Sequence, residues 1–235
     1  MATHGKKYRK AADLVDRTKG YELPEAIQFI KDHPMAKFDE TVDVSFRLGL
    51  DPTKSDQAVR GTVSLPHGTG KKVRVIVFAD GPAADAARAA GAEAVGFQDL
   101  IEKVQGGWTD FDIAVATPDA MKEVRKLGKV LGPRGLMPNP KTGTVAADTA
   151  LAVKQFQAGR VEFRMDKNGN VMVPFGKRNF EVKALVENCT AVIDALRAAR
   201  PAAAKGTYLR RCTVSSTMGP GLHLNIRDVE AGGEG

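Results

Sequence analysis

The stretch Tyr208–Ile226, YLRRCTVSSTMGPGLHLNI, constrains this chain more than any other. Its apolar residues keep one parity, Cys212 and Val214, then Leu222, Leu224 and Ile226, which marks a half-buried strand. It is the last regular segment, and no strand precedes it closely enough in sequence to be its partner. A lone strand is not stable, so it must return to a sheet begun far upstream and close a domain opened near the N-terminus. At its centre Ser215-Ser216-Thr217-Met218-Gly219-Pro220-Gly221 breaks the alternation with hydroxyls, a Met and two glycines. Such a corner reads either as a plain turn or as a surface that another molecule approaches closely.

The upstream partner is visible. In Thr41–Leu50 the residues Val42, Val44, Phe46, Leu48 and Leu50 take one face, and Thr41, Asp43, Ser45 and Arg47 take the other. A second alternating run, Val59–Leu65, is expected to return antiparallel to it. Two helices should precede these strands. One is expected near Ala11–Thr18, and the other over Pro24–Asp32, with Pro24 at the first helical position and Leu23, Ala26, Ile27 and Ile30 on one face.

Between the ends the pattern changes. Val73–Ala79 (VRVIVFA) is apolar but for Arg74, and Phe111–Ala116 (FDIAVA) is a second such run broken by Asp112, the signature of strands buried on both faces. They alternate with helical stretches at Pro82–Ala90, Gln98–Val104, Asp119–Val130 and Thr149–Gln157, and with a short strand at Ala94–Gly96, which implies parallel crossovers and a Rossmann-like α/β unit. After Ala158-Gly159 the period returns to two. Val161, Phe163 and Met165 lead to the turn Asp166-Lys167-Asn168-Gly169-Asn170, and Val171, Val173 and Phe175 lead away from it, so a hairpin is expected. A long amphipathic helix follows, with Val182, Leu185, Val186, Cys189, Val192, Ile193 and Leu196 on its stripe and Pro201 as its stop. Neither flank carries a full sheet. The expected fold is therefore α/β and α+β in two domains: a discontinuous domain of antiparallel sheet plus helices from 1–67 and 159–235, and an inserted Rossmann-like domain over 68–158. Pro66, Gly68, Gly70 and Gly159 lie in the two linkers and are the expected hinge.

Composition narrows the partner. Net charge is +7, and the residues outside 71–158 hold 23 Lys/Arg against 18 Asp/Glu, whereas the middle holds 12 against 10. The surplus sits on the ends, which suits an anionic partner there. Two cysteines are too few for a disulfide framework. Lys6, Lys7, Arg9 and Lys10 are followed by no apolar h-region, so the start does not read as a signal peptide, and no run reaches the length of a membrane span. Asn188-Cys189-Thr190 matches a glycosylation acceptor but falls on the amphipathic helix.

Catalysis finds no support. Gly68-Thr69-Gly70-Lys71 lacks the full spacing of a phosphate loop, has Lys72 in place of Ser or Thr, and leads into a strand. No G-x-G-x-x-G follows Val73–Ala79, where the chain reads Asp80-Gly81-Pro82, so no dinucleotide cofactor is expected. His4, His33, His67 and His223 have no metal-ligand spacing, and neither Cys189 nor Cys212 has a histidine nearby in sequence. The expectation is no enzyme, no cofactor and no metal. Leu127–Val145, LGKVLGPRGLMPNPKTGTV, concentrates Gly, Pro and base and reads as a rigid basic surface loop.

The run Gly132-Pro133-Arg134-Gly135-Leu136-Met137-Pro138-Asn139-Pro140-Lys141 strongly resembles the signature of the ribosomal protein L-one family. Other blocks agree in order: Lys37-Phe38-Asp39-Glu40-Thr41, Asp56–Val63, Gly107–Asp112, Val161-Glu162-Phe163-Arg164 and Thr217-Met218-Gly219-Pro220. The likeness runs from about His4 to Arg227 and is nearest the bacterial branch, while Glu230–Gly235 reads as an addition without regular structure. The resemblance implies a discontinuous outer domain with a Rossmann-like insertion. It implies a cytoplasmic, ribosome-associated ribonucleoprotein component, monomeric when free. Such a protein binds large-subunit ribosomal RNA to form the mobile stalk at the tRNA exit site, contacts exit-site tRNA and assists its release. It also represses translation by binding the mRNA of its own operon. Carried onto this chain, the RNA contacts are Lys37, Phe38 and Thr41 from the head, Thr217, Met218, Gly219, Pro220 and Gly221 from the tail, and Arg164, Asp166 and Lys167 at the hairpin. The residue types suit contact with RNA. Hydroxyls meet 2′-OH groups, Phe38 and Met218 offer apolar surface, glycines admit a ribose, and the bases neutralise phosphate. From the residues alone, Phe38 reads equally as core and 217–220 equally as a plain turn.

Overall fold

The computed structural model describes residues 5–225, so Ile226 and the Glu230–Gly235 tail lie outside the described residues. The chain opens with α1 (Lys6–Asp13), α2 (Leu23–Asp32), β1 (Thr41–Leu48) and β2 (Arg60–Ser64). It continues through β3 (Val75–Phe78), α3 (Pro82–Ala89), β4 (Ala94–Gly96), α4 (Gln98–Gln105), β5 (Ile113–Ala116), α5 (Met121–Val124), α6 (Gly128–Leu131) and α7 (Thr149–Gln157). It ends with β6 (Arg160–Arg164), β7 (Asn170–Lys177), α8 (Val182–Ala198), β8 (Leu209–Ser216) and β9 (Leu222–His223). The result is a mixed α/β fold that divides into two compact units. One runs to Gly70 and resumes at Val161, and the other spans Lys71–Arg160.

The first unit is built on a four-stranded antiparallel sheet of order β7-β1-β8-β9. The alternation in β1 faces Val42, Val44, Phe46 and Leu48 inward, none more than 3% exposed. The register places Val44 between Val173 and Val214, and Phe46 between Val171 and Cys212. Ala26, Ile27 and Ile30 of α2 and Leu185, Cys189, Val192 and Leu196 of α8 join them in one core. Each large side chain so buried contributes about 1.5–3 kcal/mol, which is why an amphipathic helix pair and a one-sided sheet suffice.

Four expectations for the first unit need correction. The run at Val59–Leu65 does not pair with β1, because β7 and β8 already occupy both of its edges. Instead β2 pairs with β6 in a separate two-stranded sheet. There Gly61 leaves room for the Phe163 ring: a Cβ at Gly61 would lie 2.7 Å from its Cζ. The turn at 166–170 forms, with Asp166 N donating to Asn170 O at 2.8 Å, but β6 and β7 leave it into different sheets and make no hairpin. The first helix lies at Lys6–Asp13, earlier than Ala11–Thr18. Asp16 Oδ1 accepts from Thr18 N and Thr18 Oγ1, a local polar turn that competes with helix there. Finally, the C-terminal stretch is two strands. Thr213 pairs with His223 and Val214 with Leu222, so the chain folds back at Thr217–Gly221 and β8 has its neighbour in β9 after all.

The second unit has a parallel sheet of order β4-β3-β5. All four β3 residues are buried. Ile76 and Phe78 pack with Leu100, Ile101 and Val104 of α4 and with Val124, Leu127 and Leu131. Val75 and Val77 pack on the opposite side with Ala84 and Ala87 of α3 and Val153 and Phe156 of α7. Helices thus cover both faces, which explains the apolar run. The expected helix at 119–130 is two short α-helical pieces joined by a 3₁₀ turn at Arg125–Leu127. The segment after it is only partly a surface loop. Thr142 and Thr144 are buried, Asn139 N donates to Thr144 Oγ1 at 2.7 Å, and Val145 forms a parallel bridge to Ala116 beside β5.

The expected hinge glycines Gly68, Gly70 and Gly159 have φ of 67°, 70° and 108°. The first linker is fastened to its own unit. Asn188, fully buried on α8, accepts from His67 N at 3.0 Å and donates Nδ2 to Gly68 O at 3.0 Å and Phe175 O at 2.8 Å. Its amide is therefore structural and inaccessible as a glycosylation acceptor. His67 Nε2 also meets Glu187 Oε2 at 2.5 Å, which holds that carboxyl below its ordinary pKa.

Asn188→Leu strips the partners from one buried N–H and two carbonyls. It should lower unfolding stability by about 1–3 kcal/mol or more, read as a shift in urea midpoint at unchanged m-value.

Candidate nucleic-acid interface

The head and the tail of the chain meet at one end of β1. Thr41 N donates to Thr217 Oγ1 at 3.0 Å, Thr217 N donates to Thr41 O at 3.0 Å, and Thr217 Oγ1 donates to Thr41 O at 3.3 Å. Lys177, opposite Thr41 in the β1–β7 register, donates Nζ to Thr41 Oγ1 at 2.9 Å and to Asp39 O at 3.4 Å. The segment leading into β1 is pinned as well. Glu40 is fully buried, its Oε1 accepts from Ala36 N at 2.6 Å, and its carbonyl accepts from Arg178 N at 2.9 Å. Asp39 Oδ1 accepts from Asn179 N at 3.2 Å.

This scaffold holds apolar surface out in water. Phe38 and Met218 are each 55% exposed, on the segments that Thr41 and Thr217 join. Phe38 is thus no core residue, and Lys37 beside it is exposed. The tail corner is a tight turn, with Gly219 N donating to Ser216 O at 3.1 Å. A Cβ at Gly219 would lie 2.5 Å from Ser216 Oγ, and one at Gly221 would lie 2.9 Å from Thr213 Cγ2. Both glycines therefore have a reason internal to the turn, and Pro220 is buried between them.

Not every carried-over residue gathers here. Thr41 pairs with Lys177 at one end of β7, whereas the turn carrying Asp166 and Lys167 enters β7 at Asn170, opposite Arg47. At about 3.3 Å per residue that is about 20 Å away along the sheet. Arg164 and Lys167 are exposed there, but Asp166 is occupied by the turn itself. Its Oδ1 accepts from Asn168 N and Asn170 N, both at 2.8 Å, and its Oδ2 from Asn170 Nδ2 at 3.3 Å. These bonds, chiefly that from Asn170, hold its carboxyl below the ordinary pKa.

What joins the two ends is the sheet face turned away from α2 and α8. The registers line up Asp43 with Pro174 and Ser215, Ser45 with Met172 and Thr213, and Arg47 with Asn170 and Arg211. Met172 is 65% exposed, and Arg47 and Arg211 are exposed. The sequence pattern assigns Asp43, Ser45 and Arg47 to this side. It does not single out Met172, Thr213 or Arg211, although each occupies the non-core parity of its strand. Partial burial raises the Asp43 carboxyl above its ordinary pKa, with Lys177 acting against the rise. Among the described residues there is no cluster of potential metal ligands. Both cysteines are buried free thiols; burial pushes Cys212 up to about 12 and Cys189 upward as well, so neither is a nucleophile at neutral pH. Among the same residues no helix is long and apolar enough to cross a membrane.

A pinned, hydroxyl-bearing sheet face with exposed apolar and basic side chains has the chemistry of an RNA-binding protein. The profile of the ribosomal protein L1p/L10e family matches residues 30–220. The chain belongs to that family, whose members are structural RNA-binding proteins of the large ribosomal subunit and not enzymes.

His223 supplies a pH test of the turn. Its Nδ1 lies 2.9 Å from Thr213 Oγ1, and its pKa is lowered by burial and by Arg211 and Arg17. Below the unfolded value of about 6.5 the unfolded chain binds more proton, so stability falls as pH drops from there to the folded pKa. In thermal melts, His223→Gln should lose less stability than the parent across that window.

Proposed function

We propose that the protein binds a junction in large-subunit ribosomal RNA through Lys37, Phe38, Thr41, Thr217, Met218, Gly219, Pro220 and Gly221, and so forms the mobile stalk at the tRNA exit site. The exposure of Phe38 and Met218 beside the Thr41–Thr217 pairing carries this reading. Two large apolar side chains held in water by a rigid frame would lose free energy there unless a partner covered them. RNA suits them, because base and sugar faces stack on such surfaces while hydroxyls and backbone meet the 2′-OH. The 55% exposure of Phe38 favours a contact role over the alternative of a core residue.

In this reading the first unit is the discontinuous outer domain, and the second is an inserted Rossmann-like domain, hinged through Pro66, Gly68, Gly70 and Gly159. The stalk contacts exit-site tRNA and assists its release. The free protein is a cytoplasmic monomer and represses translation by binding a similar structure in the mRNA of its own operon. Family membership supports ribosomal RNA as partner, and the resemblance of the quoted motifs to the bacterial branch is the support for tRNA contact and repression.

The direct test is cosedimentation with large subunits, expected to be lost as salt rises. Phe38→Ala should weaken binding to the ribosomal RNA junction by about 1–3 kcal/mol, or about 5- to 150-fold, by filter binding. Its melting temperature should match the parent. Full affinity in this variant would remove Phe38 from the interface.

A further inference from the structure

At the end of the sheet opposite Thr41 and Thr217, β1 runs out into Gly49-Leu50-Asp51 and β8 is entered through Gly206-Thr207-Tyr208. Two cavities open there. One of about 620 Å³ is lined by Arg197, Arg200 and the 206–209 segment, and one of about 380 Å³ by Asp51, Lys54, Lys205 and Arg210 among others. A backbone pairing lies between their linings: Gly49 N donates to Tyr208 O at 2.8 Å. A side chain at Gly49 would collide with Thr207 O and stand 3.2 Å from Arg210 Nε, so glycine keeps Arg210 at the wall.

Cations outnumber carboxylates three to one in the lining of the smaller cavity. Lys54, Lys205 and Arg210 are exposed, and none of them takes part in an ion pair among the described residues. The one lining carboxylate, Asp51, is hydrogen-bonded within its own loop, where Oδ1 accepts from Thr53 N at 3.1 Å and Thr53 Oγ1 at 2.6 Å; it offsets part of the Lys54 charge and leaves Lys205 and Arg210 in excess. Arg200, next door, holds Gly206 O at 3.1 Å and lies 5.7 Å from the centre of the Tyr208 ring, fixing the rim. The turn bearing Lys167 abuts the same end, with Leu48 N donating to Gly169 O at 2.9 Å. No aromatic side chain lines the smaller cavity, so it has nothing on which a base would stack. An excess of cations with no stacking surface suits the phosphates of a nucleic-acid backbone.

We propose that this cavity is a second phosphate-binding site, in which Lys54, Lys205 and Arg210 hold backbone phosphates of an RNA strand, about 25 Å along the sheet from the Thr41–Thr217 face. It needs no nucleotide sequence and no apolar contact. Its signature is therefore salt dependence.

The test uses the full chain and a short fluorescent single-stranded RNA titrated over a salt series. Each neutralised phosphate of a single strand contributes about 0.7 to the slope of log affinity against log salt, so Lys54→Ala/Lys205→Ala/Arg210→Ala should flatten the slope by about 2. The same RNA should shift the amide signals of Gly49 and Gly206. An unchanged slope in a triple variant that melts like the parent would overturn the proposal, as would RNA that fails to bind at the lowest salt. So would movement of those amides by inorganic phosphate without any movement by RNA. Phe38→Ala run in parallel separates the two sites: it should lower affinity for the ribosomal RNA junction while keeping its salt slope, whatever the triple variant does.

Discussion

The antiparallel clasp on β1 is the constraint on which the first unit depends. Both neighbours of this strand come from the far side of the middle segment, β7 on one edge and β8 on the other. Without them Val42, Val44 and Phe46 would have no flanking strands, and α2 and α8 would have no sheet to cover. The same clasp creates the outer face. Once the even-numbered residues of β1 are committed to the core, Thr41, Asp43, Ser45 and Arg47 must point outward, and β7 and β8 add their own non-core residues in register. The candidate interface is thus the by-product of closing the core.

Several residues at that face serve the fold and the surface together. Thr217 uses its hydroxyl on Thr41, and Gly219 is required by the closeness of Ser216. Asp166 spends its carboxylate on its turn, which leaves Arg164 and Lys167 there with charge to offer an anion. The exposed aromatic at Phe38 differs in kind. Its neighbours Ala36, Asp39 and Glu40 are tied down by hydrogen bonds, and between them the ring stays exposed.

Much of this is legible in the residues. Period-two alternation marks β1 and β7, the apolar run marks β3, and the helix expected at Thr149–Gln157 forms over those residues, capped by Asp148 Oδ1, which accepts from Leu151 N. Sheet membership is less legible. Alternation says that Val59–Leu65 and Val161–Met165 are strands, but not that they pair with each other, since the choice depends on which edges of β1 remain open. The Asn-Gly turn is a true local signal from which a hairpin does not follow. Near Asp16, side-chain bonding to the backbone overrides helix propensity. At the candidate site, the pattern does not say whether Phe38 is core or surface, because a single aromatic before a strand has no period. The resemblance chose the residues, and the structure supplied their exposure.

The Thr41–Thr217 pairing spans 176 positions, and this has a bearing on the order of events during synthesis. The second unit is contiguous, and its parallel strands can pair as soon as Lys71–Arg160 has emerged. The first unit must keep β1 waiting, with its apolar face uncovered, until β7 and then β8 have been made. Loop-closure entropy grows only logarithmically with length, and an intervening segment that has already collapsed draws the two ends nearer still. If the second unit folds first, it shortens the search by which the first-made strand finds its last-made neighbour.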